Sequence, residues 1–157
     1  MSAPELEQPL PALGGALDFL RIVWALEHAL ETTSRRMERT FGVTARQRMI
    51  LRVVGRYPGI AAGHLARILH IDRGTLSAAL KRLEARRLLT RTPDPRDGRR
   101  VLIALSPEGK KLDIPSPGSV EQAVESVIQA LGPSQVLAFR TGLEQLTLQL
   151  EKVAEKP

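Results

Sequence analysis

Arginine carries most of the chemistry open to this sequence. Arg96, Arg99 and Arg100 crowd the stretch Asp94-Pro95-Arg96-Asp97-Gly98-Arg99-Arg100, while Arg73, Ser77 and Lys81 recur at intervals of four residues upstream. A guanidinium is permanently charged and offers a planar fork of donors that fits phosphate oxygens and the edges of guanine. Residues 72–111 hold Arg73, Lys81, Arg82, Arg86, Arg87, Arg91, Arg96, Arg99, Arg100, Lys110 and Lys111 against Asp72, Glu84, Asp94, Asp97 and Glu108. That excess of six equals the net charge of +6 of the whole chain, so the rest is balanced. Localised positive charge is the footprint of a polyanion binder. A solvated basic face that aids solubility accounts for the same tally.

Catalytic chemistry finds little support. His28, His64 and His70 fall on different predicted elements, without metal-ligand spacing, and neither a glycine-rich phosphate loop nor a nucleophile elbow occurs. With no cysteine there is no disulfide, thiol nucleophile or thiolate site. The expectation is a protein that is not an enzyme and uses neither metal nor cofactor. Zero cysteines, a start that does not read as a signal peptide and the lack of any apolar run of about 18 residues point to a cytoplasmic protein without a membrane span.

The elements that must position these side chains are mainly helical. Apolar residues make up 43% of the chain but aromatics only 3%, a core of Leu, Val, Ile and Ala that suits helices better than a β-sandwich. A loose tail is expected over 1–13. One long helix follows over 14–40, apolar around most of its circumference through Leu17, Leu20, Trp24 and Leu30 with Phe19, Val23 and Leu26, and ended by Gly42. Thr44-Ala45-Arg46-Gln47 has capping-box spacing and opens a second helix, with Met49, Ile50, Val53, Val54 and Tyr57 as its buried face. A short helix over 62–69 should bury Leu65, Ile68 and Leu69; Ala61 stands where a cap is expected and His70 where a glycine would relieve a left-handed end.

Asp72 caps a helix over 73–88, whose inner line is Leu76, Leu80, Leu83 and Arg87. Its outer face (Gly74, Ser77, Ala78, Lys81, Ala85) is short-sided and basic, suited to approaching another surface. Residues 89–92 and 100–105 read as the strands of a hairpin around a turn at 93–99. After a helix-breaking stretch at Asp113-Ile114-Pro115-Ser116-Pro117-Gly118, Ser119 caps a helix over 120–131. The last helix carries Val136, Phe139, Leu143, Leu146, Leu150 and Val153 at alternating spacings of three and four, an a/d seam.

In this order, helix, short helix, capped helix and arginine-tipped hairpin, residues 44–112 resemble the MarR (multiple-antibiotic-resistance regulator) family. The matching text is Leu65-Ala66-Arg67-Ile68-Leu69, Asp72-Arg73-Gly74-Thr75-Leu76-Ser77, Leu83-Glu84-Ala85-Arg86-Arg87-Leu88, Arg91, Asp94-Pro95-Arg96-Asp97-Gly98-Arg99-Arg100 with Val101-Leu102-Ile103-Ala104-Leu105, and Ser106-Pro107-Glu108-Gly109. The hairpin resembles the family's Asp-x-Arg-Asp-x-Arg wing signature and is the most specific part. Arg87 and His70 stand where that family commonly has glycine, and the break at 115–118 where many members continue a helix.

The resemblance implies a mainly α fold with a small β-wing: a winged helix-turn-helix over 43–112, flanked by dimerisation helices at 14–42 and 113–157. It implies that the 73–88 helix enters a major groove, with Arg73, Ser77 and Lys81 toward base edges or phosphates and Thr75 on a phosphate. Arg96 would enter the flanking minor groove and Arg99 reach the duplex. Asp94 and Asp97 would brace the wing, Asp94 through an ion pair with Arg99, unless either of these two is merely a turn residue. The apolar first helix (Leu17, Leu20) and the seam (Phe139, Leu143, Leu146, Leu150) leave surface for a two-fold mate, or for packing on each other within one chain. The family also implies a pocket for small amphipathic or phenolic compounds, here walled by Trp24, His28 and Met49, although Trp24 and Met49 also suit plain core positions. The expected function is a homodimeric, sequence-specific regulator of transcription on double-stranded DNA, a repressor, binding a pseudo-palindromic operator. An architectural DNA binder that senses nothing is the alternative.

Overall fold

The computed structural model describes residues 11–155; most of the tail expected over 1–13, residues 1–10, lies outside them. Helix α1 runs Gly15–Phe41 and stops where Gly42 takes a left-handed conformation (φ 73°). Helix α2, Ala45–Arg56, starts on the capping box read from the sequence. The Gln47 amide donates to Thr44 Oγ1 at 3.2 Å, and the Thr44 amide to Gln47 Oε1 at 3.1 Å. These bonds satisfy two of the donors that a helix start leaves orphaned.

The short helix α3 (Ala62–Leu69) and α4 (Arg73–Ala85) form the helix-turn-helix. Between them His70 is left-handed at φ 50°, so the position that favours glycine is real and is filled by a strained residue. Arg87 is its counterpart after α4, at φ 58°. The α4 helix therefore ends three residues before Leu88, and Arg87 turns the chain instead of extending the inner face of the helix.

Strands β2 (Leu89–Asp94) and β3 (Asp97–Leu105) make the wing. They are longer than the hairpin read from the sequence. Asp94 pairs with Asp97, leaving Pro95 and Arg96 alone at the tip, and the register shifts between Pro93 and Asp94. A third strand, β1 (Ile60–Ala61), lies antiparallel to β3 with Ile60 opposite Ile103, giving the order β1-β3-β2. Two residues after Pro58-Gly59 show no period, so this strand has no sequence signal.

Helix α5 (Pro107–Leu112) is capped by Ser106, whose hydroxyl donates to the Arg87 carbonyl at 2.5 Å and accepts from the Gly109 amide at 3.0 Å. Gly109 is obligatory: a Cβ there would lie 2.0 Å from the Leu88 carbonyl oxygen. Helices α6 (Val120–Ala130) and α7 (Pro133–Ala154) complete the chain.

One core joins these elements: Val43, Ile50, Leu51, Val54, Ile60, Leu65, Ala66, Leu76, Leu80, Leu83, Leu88, Leu89 and Ile103. On α2 the buried face is turned from the one expected, since Leu51 is fully buried while Met49 and Tyr57 are about half exposed. On α3 the buried pair is Leu65 and Ala66, and Ile68 faces out. Both shifts follow from neighbours on more than one side: α2 also packs on α5, and α3 on β1 and β3. No helix among the described residues is long and apolar enough to cross a membrane.

Candidate nucleic-acid interface

The inner line of α4 anchors it: Leu76, Leu80 and Leu83 are at most 2% exposed. Its opposite face is thereby fixed outward, and Ser77, Ala78 and Lys81 lie along it. The start of α4 is held by Asp72. Oδ1 accepts from the Thr75 amide at 2.8 Å, and Oδ2 accepts from the Thr75 hydroxyl. These two bonds from Thr75, the hydroxyl first, hold the Asp72 carboxyl below the usual aspartate range, because they favour its charged form. The Thr75 hydroxyl proton is thus committed to Asp72. A capping role for Thr75 thus stands beside the phosphate contact expected of it.

Between α3, α4 and the wing lies an open concavity of about 700 Å³. Its basic lining is Arg67 and His64 from α3, Arg73 from α4, and Arg91, Arg99 and Arg100 from the wing, with Ser77 on its floor. Three segments separate in sequence thus turn cations toward one hollow. Lys81 lies further along α4, exposed and outside the hollow.

The wing tip is built by its aspartates, not by the expected ion pair. Asp94 Oδ1 accepts from the Arg96 amide at 2.9 Å, and Asp97 Oδ1 from the Arg99 amide at 3.1 Å. Such side-chain-to-backbone turns order a loop without a charge partner. The Asp94–Arg99 pair does not form; Asp97 lies instead 3.6 Å from Arg100, in an exposed pair of small energetic weight. Arg96 is left exposed, with no carboxylate against its guanidinium among the described residues. Arg91, on the wing's inner side, lies 3.5 Å from Glu84.

The sequence reading did not single out His64, Arg67 or Arg100 as parts of the site. The first two are one turn apart on α3, a spacing that puts them on one face, so the signal was present but weak. It also overlooked Arg48, the most buried charged side chain, at 1% exposure. Of the residues expected at the dimer interface, Leu17, Phe139 and Leu150 are more than half exposed and Leu20 and Leu146 half-buried, and no residue of α6 or α7 is fully buried. Trp24, His28 and Met49 are likewise exposed and border neither of the cavities found among the described residues. No cluster of His, Asp and Glu there could hold a metal ion.

Residues 41–100, which contain α2 to the wing, match the family model described as "MarR family". A putative transcriptional regulatory protein for the hcr operon of Thauera aromatica is 29% identical over 96 residues, 61% of this chain and 55% of the relative. The chain spans about half the length of the first curated relatives it matches. Among solved structures, the S. aureus MepR–DNA complex superposes with a TM-score of 0.70 at 20% identity, over 84% of this chain and 97% of that one. PcaV from Streptomyces coelicolor, solved with its natural ligand, gives 0.70 at 22% identity over 88% and 97%. At such identities the structural likeness is one of fold. The family model lies across the helix-turn-helix and the wing that enclose the arginine-lined hollow, so over residues 41–100 this chain is similar to the MarR family, and its fold is that of the winged-helix structures it superposes on.

Proposed function

We propose that this protein is a homodimeric regulator of transcription that binds double-stranded DNA in a sequence-specific manner. The observation that carries the reading is the convergence of α3, α4 and the wing on one hollow that presents Arg67, Arg73, Arg99 and Arg100 together. A helix with short outward side chains fits a major groove about 12 Å wide, and guanidiniums on its flank meet the phosphates on either side. Arg73, Ser77 and Lys81 face the groove, Arg99 the backbone, and Arg96 the adjacent minor groove, where the potential is most negative. DNA in complex with the structural neighbour MepR supports this reading.

Exposed apolar surface supports the dimer. A compact protein of 17.3 kDa exposes about 7,800 Å², whereas this chain exposes 12218 Å². Much of the apolar part lies on α1, α6 and α7, where a second copy would cover Leu17, Leu20, Phe139, Leu143, Leu146 and Leu150. Two heads related by a two-fold axis then meet a pseudo-palindromic operator with half-sites about one turn apart. Occupying such a site in a promoter excludes polymerase, so the protein acts as a repressor. Release is controlled by a small amphipathic or phenolic compound seated beside Trp24, His28 and Met49 once the mate closes over them, a reading supported by the ligand held by the neighbour PcaV.

Selection of bound duplexes from a random pool tests the core of this. Recovery of an inverted repeat with fixed separation is the expected result. Uniform recovery of unrelated sequences would identify an architectural DNA binder, and no retention of any duplex at low salt would end the reading. Trp24 is the only tryptophan, so its emission reports a compound entering beside it. A panel that neither quenches it nor releases DNA would remove effector control.

A further inference from the structure

The chain leaves the reading head through Asp113–Gly118, and arginines from two earlier helices hold that segment. Arg48 Nε donates to Glu121 Oε1 at 2.7 Å, Nη1 to the Leu112 carbonyl at 2.9 Å and Nη2 to the Ile114 carbonyl at 2.5 Å. Its guanidinium lies 5.9 Å from the centroid of the Phe41 ring, at the end of α1. Arg52 pairs with Asp113 at 2.6 Å, and Arg36 donates to the Gly118 carbonyl.

For stability alone this arrangement is expensive. Taking a guanidinium out of water costs more than its pairing returns unless every donor is well placed, and an apolar side chain could fill the same volume. What an apolar side chain lacks is direction. The rigid fork of Arg48 fixes the helix that bears Glu121 in angle as well as distance, because three donors must reach one carboxylate and two carbonyls at once.

We propose that Arg48 is a positioning residue for DNA recognition. With Glu121 it locks α6, and through α6 the dimerising arm, at one angle to the reading head, and so sets how far apart the two heads stand on a duplex. The inference rests on the DNA-binding dimer proposed above, since two heads must meet half-sites about one turn apart and a pivoting head loses that register. The break at 115–118 is then no loose joint. For the lock Arg48 takes the carbonyl of Leu112, at the end of α5, and that of Ile114, just before the first proline of the break.

Two measurements test it, each on the full-length dimer, with Glu121→Ala as main variant and Arg48→Lys as a second that keeps the charge and loses the fork. The chain has no cysteine, so Arg56→Cys in α2 and Gln129→Cys in α6 can carry the only spin labels. With labelled chains diluted into unlabelled protein, the distance distribution between them should broaden about twofold in either variant. In parallel, duplexes selected by the wild type are compared with copies whose half-sites are moved apart by one base pair. The wild type should lose about tenfold in affinity on the shifted copy and the variants about threefold or less, with binding to a single half-site unchanged. A folded variant with the wild-type distance distribution and the wild-type spacing penalty would overturn the proposal. Should the wild type bind no duplex, the functional reading fails, while the label distances still decide whether Arg48 and Glu121 lock head to arm.

Discussion

The head and the arms of this chain are about equally rich in apolar residues and treat them in opposite ways. Among the described residues, every buried apolar side chain except Met37 lies between Val43 and Ile103, where helices and wing close on one another. In α1, α6 and α7 the equivalent residues stand in the open, including Trp24 at 61% and Val153 at 67% exposure. A monomer rarely leaves contiguous apolar patches of more than a few hundred Å² uncovered. The head is therefore a fold that one chain completes, whereas the arms carry the apolar surface on which the proposed dimer rests.

The sharpest way to break that contrast is to place a charge in each region. Leu150→Asp puts a carboxylate in the seam of both mates. Losing a buried leucine costs about 1.5–3 kcal/mol and the two-fold axis doubles it, so the dimer constant should weaken by about 10² to 10⁴. Sedimentation over a dilution series reads this directly, and an unchanged constant would show that the seam is not an interface. Ile50→Ala acts on the other side of the comparison. It empties a fully buried site in the head and should cost about 2–5 kcal/mol in denaturant unfolding, with the dimer constant of the folded protein unmoved. A variant that dissociates the dimer as strongly as Leu150→Asp would mean that head and arms are not separable units.

The same division decides what the sequence made legible. Signals that act within a few residues read correctly: the Thr44 and Asp72 caps, the left-handed position at His70, the hairpin with its arginine tip. The helix α7 was visible because a heptad pattern is local, whereas what covers its apolar line is not a local property. Features that depend on distant neighbours were not legible. Arg48 looks like any surface arginine on α2 until the linker around residues 112–114 arrives to take its protons. The turned face of α2 and the brief strand β1 have the same origin, for their burial comes from α5 and β3, both more than forty residues away. The tip failed differently: a charge pair was expected where backbone amides were nearer and sufficed.

Within the head, the surface proposed to meet DNA should be separable from the core that supports it. Arg96→Ala removes an exposed side chain held by no ion pair, so stability should not change. Affinity for the selected duplex should fall by about 1–3 kcal/mol, and the slope of log affinity against log salt should drop by about one if the side chain meets a phosphate. Filter binding across a salt series checks both, and wild-type affinity at every salt concentration would remove Arg96 from the interface.

The smallest effect concerns the cap that holds α4 in place. Because the Thr75 hydroxyl and amide favour the charged form of Asp72, its carboxyl titrates below the ordinary aspartate range in the folded head. A depressed folded value means that the contribution is fully present above the unfolded value and is lost as pH falls through the folded one. Asp72→Asn keeps an acceptor for the Thr75 amide but has no proton to take up. Wild type and variant should therefore differ most near neutral pH and converge in acid, with the loss appearing first in amide exchange at the start of α4. In the arms no comparable change is expected, since the hydrogen bonds of the Asp72 side chain run to Thr75 within α4. A constant difference down to the lowest pH at which the head stays folded would show that Asp72 holds α4 through geometry alone.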